Sequence, residues 1–449
     1  MTTLFAFLFV IAVLIVVHEL GHYWVARWCG VKVLRFSVGF GKPLWIKRLG
    51  PDQTEWVLSL IPLGGYVKML DEREAETPIA ANELPRAFNR QPVFKRILIV
   101  VAGPMANFLL AIAVYWTINL VGITAPPARL AQPAAASIAA QAGVTSGDVI
   151  AAINGQTVHS WNDVGWLLTL AAADHDPVML TLRRGSEQRQ VELPTQSTHL
   201  DETSLNVASQ LGLNVAELAP VVGSVIANQP AQQAGLLEGD RILAVGDAPV
   251  ETVRQLIELI RQHPDQALSF AVQRGDESFA LNITPQAEQQ PMPGGATQTV
   301  GKIGAGLAAQ YDLELVRFGI TDGVVQAVQR TWQTATFNLH MLGKLVRGQL
   351  SLSNLSGPVT IADYAGQAVK LGWIQYFALI AAISISLGVL NLLPIPTLDG
   401  GHLLYYLAEI SLRKPLPQQV QEIGQRVGIA LLLMLMSVAL FNDIVRLIR

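Results

Sequence analysis

The chain has a single cysteine, Cys29, in 449 residues. That excludes an intramolecular disulfide framework, so any part in an oxidising compartment folds without covalent staples. Charge is scarce as well: 14% of residues are Asp, Glu, Lys or Arg, the formal net charge is −3, and no block of like charge stands out. Nothing in that balance gives nucleic acid a footing. No Lys or Arg precedes Arg27, and no small-x-small cleavage pattern follows the first apolar run, which argues for a retained span over a cleaved signal peptide. In place of charge, 51% of the chain is hydrophobic and mean hydropathy is +0.37. Such a chain is too apolar for an ordinary soluble protein and too long for one domain, and it reads as a membrane protein with a soluble part.

From Leu4 to Val17 every residue is apolar, and the run leads directly into His18-Glu19-Leu20-Gly21-His22. On a helix, positions four apart share a face, so His18 and His22 point the same way with Glu19 beside them. Two neutral imidazoles at this spacing can hold Zn²⁺ at about 2.0–2.1 Å, leaving room for a third ligand and a water. Glu19 is then the general base for that water. The alternative is a buried polar cluster or a chance match, but ionisable groups inside a membrane segment are costly and usually functional.

Four segments are long enough to cross a bilayer, roughly 3–25, 97–121, 374–398 and 427–447, since a span takes about 20 mostly apolar residues. Twelve basic residues lie between the first two, from Arg27 to Arg96. The positive-inside bias makes that loop cytoplasmic, and parity puts the N-terminus, residues 122–373 and the C-terminus outside. His18 then lies about 25 Å into a hydrocarbon core about 30 Å thick, near its cytoplasmic side.

Within the cytoplasmic loop, residues 56–61 and 65–69 are predicted as two strands joined at Pro62-Leu63-Gly64. This hairpin is either ordinary loop structure or an edge, around Gly64, Gly65 and Tyr66, to which an extended peptide adds. The second span contains Gly103-Pro104-Met105-Ala106-Asn107, where small residues permit close packing; a place for Asn107 near the site is a second reading. The external region repeats itself. Residues 141–150, with Gly147-Asp148-Val149-Ile150, match 233–242, with Gly239-Asp240-Arg241-Ile242, at a constant offset of 92. Both copies resemble the Gly-Asp-x-Ile core of PDZ domains. Residues 285–298 read as a linker by composition. Val325, Val328, Trp332, Ala335, Leu339, Leu342 and Val346 then mark an amphipathic helix, resting on the membrane surface or on the repeats. His159, His175, His199, His263 and His340 have no partner spacing and are read as non-ligands.

The third span ends Asn391-Leu392-Leu393-Pro394-Ile395-Pro396-Thr397-Leu398-Asp399-Gly400. Two prolines so close break a helix at membrane depth, which is tolerated only beside a cavity or inside protein. Asp399 falls at the depth expected for His18 and His22; the other reading of it is an N-cap for a helix starting at Gly400. Taken together, the His-Glu-x-x-His span, the Gly64-Gly65-Tyr66-Val67-Lys68-Met69 strand, the paired repeats, the Asn391–Gly400 motif, the segment 35–41 and the segment 354–358 resemble the site-2 protease family. That resemblance covers nearly the whole chain. It implies a multi-pass α-helical membrane protein of four spans, with an intramembrane metalloprotease core and a membrane-associated β-hairpin, plus two external α+β PDZ-like domains. The expected divisions are 1–121, 122–208, 209–288, 289–370 and 371–449. By the same resemblance His18, His22 and Asp399 hold one Zn²⁺ per chain, Glu19 is the catalytic base, and Asn391 and Pro394 meet substrate. It also implies residence in a bacterial inner membrane, with both termini and the PDZ-like domains periplasmic. The implied substrates are single-span membrane proteins in the lipid bilayer, such as an anti-sigma factor already trimmed outside, and remnant signal peptides. In the family, the PDZ pair is thought to exclude substrates with bulky external domains. A membrane-anchored PDZ adaptor and a metal transporter are the rivals.

Overall fold

The computed structural model describes residues 2–73, 79–174, 177–193, 207–291, 297–414 and 416–448; His175 and His199 lie outside them. The chain divides into two compact units, one formed by Met1–Ile123 with Arg317–Arg449 and one by Thr124–Val316.

Four helices of the first unit are long and apolar enough to cross a membrane: Thr2–Trp28, Val93–Val121, Trp373–Leu392 and Gln419–Ile448. The first continues unbroken through the histidine pair, because nothing in residues 18–28 stops a helix. It crosses the second at Gly21, where any side chain would collide with the Ala102 carbonyl. The third stops at Leu392, short of the expected 398: Leu393 is extended, as a residue before proline prefers to be, and a separate helix begins at Asp399.

Between the first two spans lies an antiparallel sheet of Val33–Leu49 and Thr54–Met69. Its turn is at Gly50–Gln53, with Gly50 and Gln53 at positive φ, so the predicted hairpin turn at Pro62-Leu63-Gly64 is corrected. Arg35 to Val38 pair with Lys68 to Gly65, and the same four residues also pair with Glu55 to Leu58. The two predicted strands therefore lie on either side of this segment and do not pair with each other. Phe40, Leu44, Trp45, Ile46, Leu58, Leu60 and Ile61 remain exposed on this sheet.

The amphipathic helix spans Ile320–Val346 and packs on the second span, where Trp116 Nε1 donates to the Ile320 carbonyl at 3.1 Å and Asn119 Nδ2 to that of Gly323 at 3.0 Å. Its buried stripe is the small one, Gly323, Ala327, Thr331, Thr334 and Ala335. The large apolar residues that reveal it in the sequence, Val325, Val328 and Trp332, are exposed.

The second unit has two cores. One gathers Leu130, Ile150, Leu168, Leu180 and Leu211; the other gathers Val222, Ile242, Leu256, Phe270 and Ile303. The first lobe holds a four-stranded sheet in the order Gln156–Thr157, Val149–Ile153, Val178–Arg184, Glu187–Leu193. In the second, the order is Glu277–Ile283, Leu268–Arg274, Arg241–Val245, Leu218–Val225, Ala305–Gln310, with Ala248–Pro249 beside Arg241–Val245. The repeat is structural. Leu130 and Val222 donate to the carbonyls of Asp148 and Asp240, and Ala139 and Ala231 to those of Leu211 and Ile303. The first core thus extends past the expected boundary at 208. The predicted linker over 285–298 is corrected at its two ends, where Gln286–Pro291 pairs antiparallel with Thr297–Lys302; its residues 292–296 lie outside the described ones.

Candidate metal centre

The site is assembled from three helices of the first unit. His18 and His22, one turn apart on the first helix, place their Nε2 atoms 3.2 Å from each other. Asp399 Oδ2 lies 3.2 Å from His18 Nε2 and 3.5 Å from His22 Nε2. Asp399 is the first residue of the helix Asp399–Leu412 and Leu398 is its N-cap, so the capping alternative for Asp399 does not hold.

The second helix supports this triangle. His22 Nδ1 donates to the Ile99 carbonyl at 2.8 Å, which fixes the tautomer and leaves the Nε2 lone pair facing inward. The side-chain amide of Asn107 lies 3.2 Å from His18 Nδ1, and Ser384 Oγ donates to the Asn107 carbonyl at 2.8 Å. A neutral His18 with its Nε2 lone pair free carries its proton on Nδ1, which calls for the oxygen end of that amide. Between Ile99 and Asn107 sits Gly103, where a Cβ would overlap both imidazoles.

The donor atoms fit a tetrahedral cation. Ligands at about 2.0–2.1 Å from a tetrahedral centre stand about 3.3–3.4 Å apart, and the three separations observed are 3.2, 3.2 and 3.5 Å. Asp399 Oδ2 is shut off from solvent and receives no well-directed hydrogen bond. Three lone-pair-bearing atoms facing one another this closely repel unless a cation sits among them. No other group of three His, Cys, Asp or Glu among the described residues has this arrangement.

Glu19 is 8% exposed, and its carboxylate accepts no hydrogen bond among the described residues. It faces the sheet: a Cβ at Gly65 would stand 3.0 Å from Glu19 Cγ and 2.8 Å from Ile15 Cγ2. Of the other predicted substrate contacts, Gly64 is held at φ 141° against the Phe40 ring, which stacks on Tyr66 at 6.3 Å. Asn391 is in the last turn of the third span and Pro394 just beyond it; neither hydrogen-bonds to the three ligands. One support escaped sequence reasoning, the Ile99 carbonyl; the amide of Asn107 answers the second reading of that residue, a place near the site. Only Asn107 left a signal, as a polar residue inside an apolar span.

Comparison with known proteins gives a match to "Peptidase family M50" over residues 6–435. RSc1411 of Ralstonia nicotianae, whose name carries the words zinc metalloprotease, is 44% identical over 460 residues, covering 100% of this chain and 99% of its own. The regulator of sigma-E protease RseP of Escherichia coli is 39% identical over 446 residues, covering 98% of each. A regulator of sigma E protease of Salmonella typhi is 38% identical over 446 residues, again 98% of each.

Proposed function

We propose, from the premise that this chain belongs to peptidase family M50, the site-2 proteases, and is a metalloprotease, that it is a zinc enzyme that cuts single-span proteins within the membrane in regulated proteolysis of the envelope-stress type. One observation carries the reading: the triangle formed by His18 and His22, on a helix long and apolar enough to span a bilayer, and by Asp399, at the start of the helix that follows the third such helix, beside a buried Glu19.

These three residues would hold one Zn²⁺ per chain, which when bound supplies Lewis acidity and makes water nucleophilic at neutral pH. Glu19 takes the proton from the attacking water and returns it to the leaving amine. Ile99 and Asn107 hold the imidazoles in the tautomers that ligation needs. A substrate helix must unwind before its carbonyls can react. The strand at Gly65, running past Glu19, offers a backbone edge for the unwound segment, with Gly64 and Tyr66 flanking it. Asn391, in the last helical turn before the break and with no hydrogen-bond partner for its side chain among the described residues, and Pro394, exposed within the break, are assigned to the other side of that segment. The two lobes of the second unit are read as PDZ-like domains on the periplasmic face of a bacterial inner membrane, screening out substrates not yet trimmed there. Anti-sigma factors and remnant signal peptides fit this reading. It draws support from the RseP relatives, named as regulators of sigma-E protease.

The test is cleavage of a reconstituted single-span substrate, truncated outside the membrane, by wild type and Glu19→Gln, with zinc measured on both. The expected result is about one zinc per chain in each, and a rate at least about 10²-fold lower in the variant. Equal cleavage by both would overturn the assignment.

A further inference from the structure

The third ligand arrives on a different helix from the first two, and something must set its register. The joint before Asp399 is tight: side chains at Gly400 and Gly401 would collide with carbonyls of Leu392, Leu393 and Ile395. That compactness belongs to the joint and does not tie the helix to the elements that hold His18 and His22. At the other end of the helix, Arg96 of the second span meets Glu409 through two parallel hydrogen bonds, Nη2 to Oε1 at 2.7 Å and Nη1 to Oε2 at 3.1 Å. Both side chains are largely withdrawn from solvent, 11% and 21% exposed. The guanidinium stacks on Tyr406 with its carbon 4.8 Å from the ring centre, and its Nε donates to the Gln91 carbonyl at 3.1 Å. Gln91 is in turn tied to the carbonyls of Pro85 and Ala87. A planar fork held on three sides allows one orientation of its partner.

We propose that the Arg96–Glu409 pair is a positioning element for the metal site: it registers the Asp399 helix against the second span, which already carries the groups that orient both imidazoles. From Arg96 it is three residues to Ile99, seven to Gly103 and eleven to Asn107 along one helix. From Glu409 it is ten residues back to Asp399, about 15 Å of stiff helix. A slip of one residue at the pair shifts Asp399 by about 1.5 Å, whereas a metal site tolerates deviations of about 0.2 Å in its bonds. The pair therefore controls zinc affinity from a distance, although neither residue touches the metal site. The proposal rests on the assignment of His18, His22 and Asp399 as zinc ligands.

The experiment uses the full chain in detergent and compares wild type, Arg96→Glu, Glu409→Arg and the double exchange. Zinc dissociation constants come from competition with a chromogenic chelator, and metal-free unfolding midpoints are recorded beside them. Each single exchange is expected to weaken zinc binding about 10- to 100-fold, in the range for supporting partners of metal ligands, and the double exchange to recover most of it. Singles that lower the unfolding midpoint but bind zinc within twofold of wild type would show a merely structural pair. Weakened singles that the double exchange fails to rescue would point to packing and also overturn the proposal. Should the charge reversals not fold, Glu409→Gln and Arg96→Lys replace them, with the same two-fold criterion for overturning and at least tenfold weakening expected of Glu409→Gln. A wild type that binds no zinc would instead remove the ligand assignment on which the proposal stands.

Discussion

Gly103 shows how little room the site leaves at the scale of one residue. A methyl group there would enter the space of both imidazoles, and moving either helix away to make room would give up the close packing of Gly21 on the Ala102 backbone. Gly103→Ala is therefore expected to cost about 1–3 kcal/mol from overpacking and to lower zinc content and cleavage together, read by metal analysis and substrate turnover. Gly165→Ala is the control. That helical glycine faces open space, and the change should leave zinc unaltered while stabilising its helix by about 0.5–1 kcal/mol. At this scale the sequence was informative where a residue type clashed with its surroundings. His18, Glu19 and His22 stood out because an apolar span has no other use for them, and Asp399 because two prolines precede it. The Ile99 carbonyl could not stand out, since every residue has one.

Elements were legible where the pattern is local and obscure where the partner is distant in sequence. The spans followed from runs of apolar residues, and the repeat from its constant offset. Strand pairing between the first two long apolar helices did not, because Arg35 to Val38 choose two partners, at 55–58 and 65–68, through contacts that no local turn signal specifies. Glutamine and proline made 285–298 resemble a linker, yet the two-stranded ribbon of Gln286–Pro291 and Thr297–Lys302 needs only backbone pairing and positions at which Pro loses no ladder bond. The amphipathic helix was found by its large apolar residues and packs by its small ones, as helices do when backbones approach closely.

The repeated lobes carry a prediction about pH at this same scale. Burial pushes the Asp148 carboxyl up, but the Thr145 amide and the Arg189 and Arg184 guanidinium groups outweigh it and hold it below the usual carboxylate range. Asp240 is held down chiefly by Arg274, against burial and with help from the Leu237 amide. Carboxyls lowered in the folded state bind fewer protons there than in the unfolded chain, whose Asp titrates near about 3.9. Their contribution is thus complete above about pH 5 and is lost as pH falls below about 4 through the folded values. Hydrogen exchange of the full chain should show protection of Val149–Ile153 and Arg241–Val245 level from pH 8 to about 5 and declining in acid, after correction for intrinsic rates. Asp148→Asn with Asp240→Asn should flatten that decline. Protection unchanged down to pH 3 in wild type would mean that these pairs do not hold the lobes.

For the whole molecule, the decisive fact is where the second unit leaves and rejoins the first. Phe318 donates its amide to the Asn119 carbonyl at 3.0 Å and Arg317 Nε donates to that of Leu120 at 2.6 Å, so residues on either side of the 124–316 insertion are bonded to each other inside the first unit. Every residue of the proposed metal centre and its supports, from His18 to Glu409, also belongs to the first unit. An insertion with adjoining ends can be removed without separating what it interrupts. Replacing 124–316 by a short Gly/Ser linker is therefore expected to leave zinc binding, and cleavage of a substrate already trimmed outside the membrane, within about threefold of wild type. If the lobes screen substrates, the same variant will also cut a substrate that retains its external domain, which wild type should spare. Loss of zinc in the variant would show that the lobes are needed to build the site. Continued refusal of the untrimmed substrate would place the screen within the membrane unit itself.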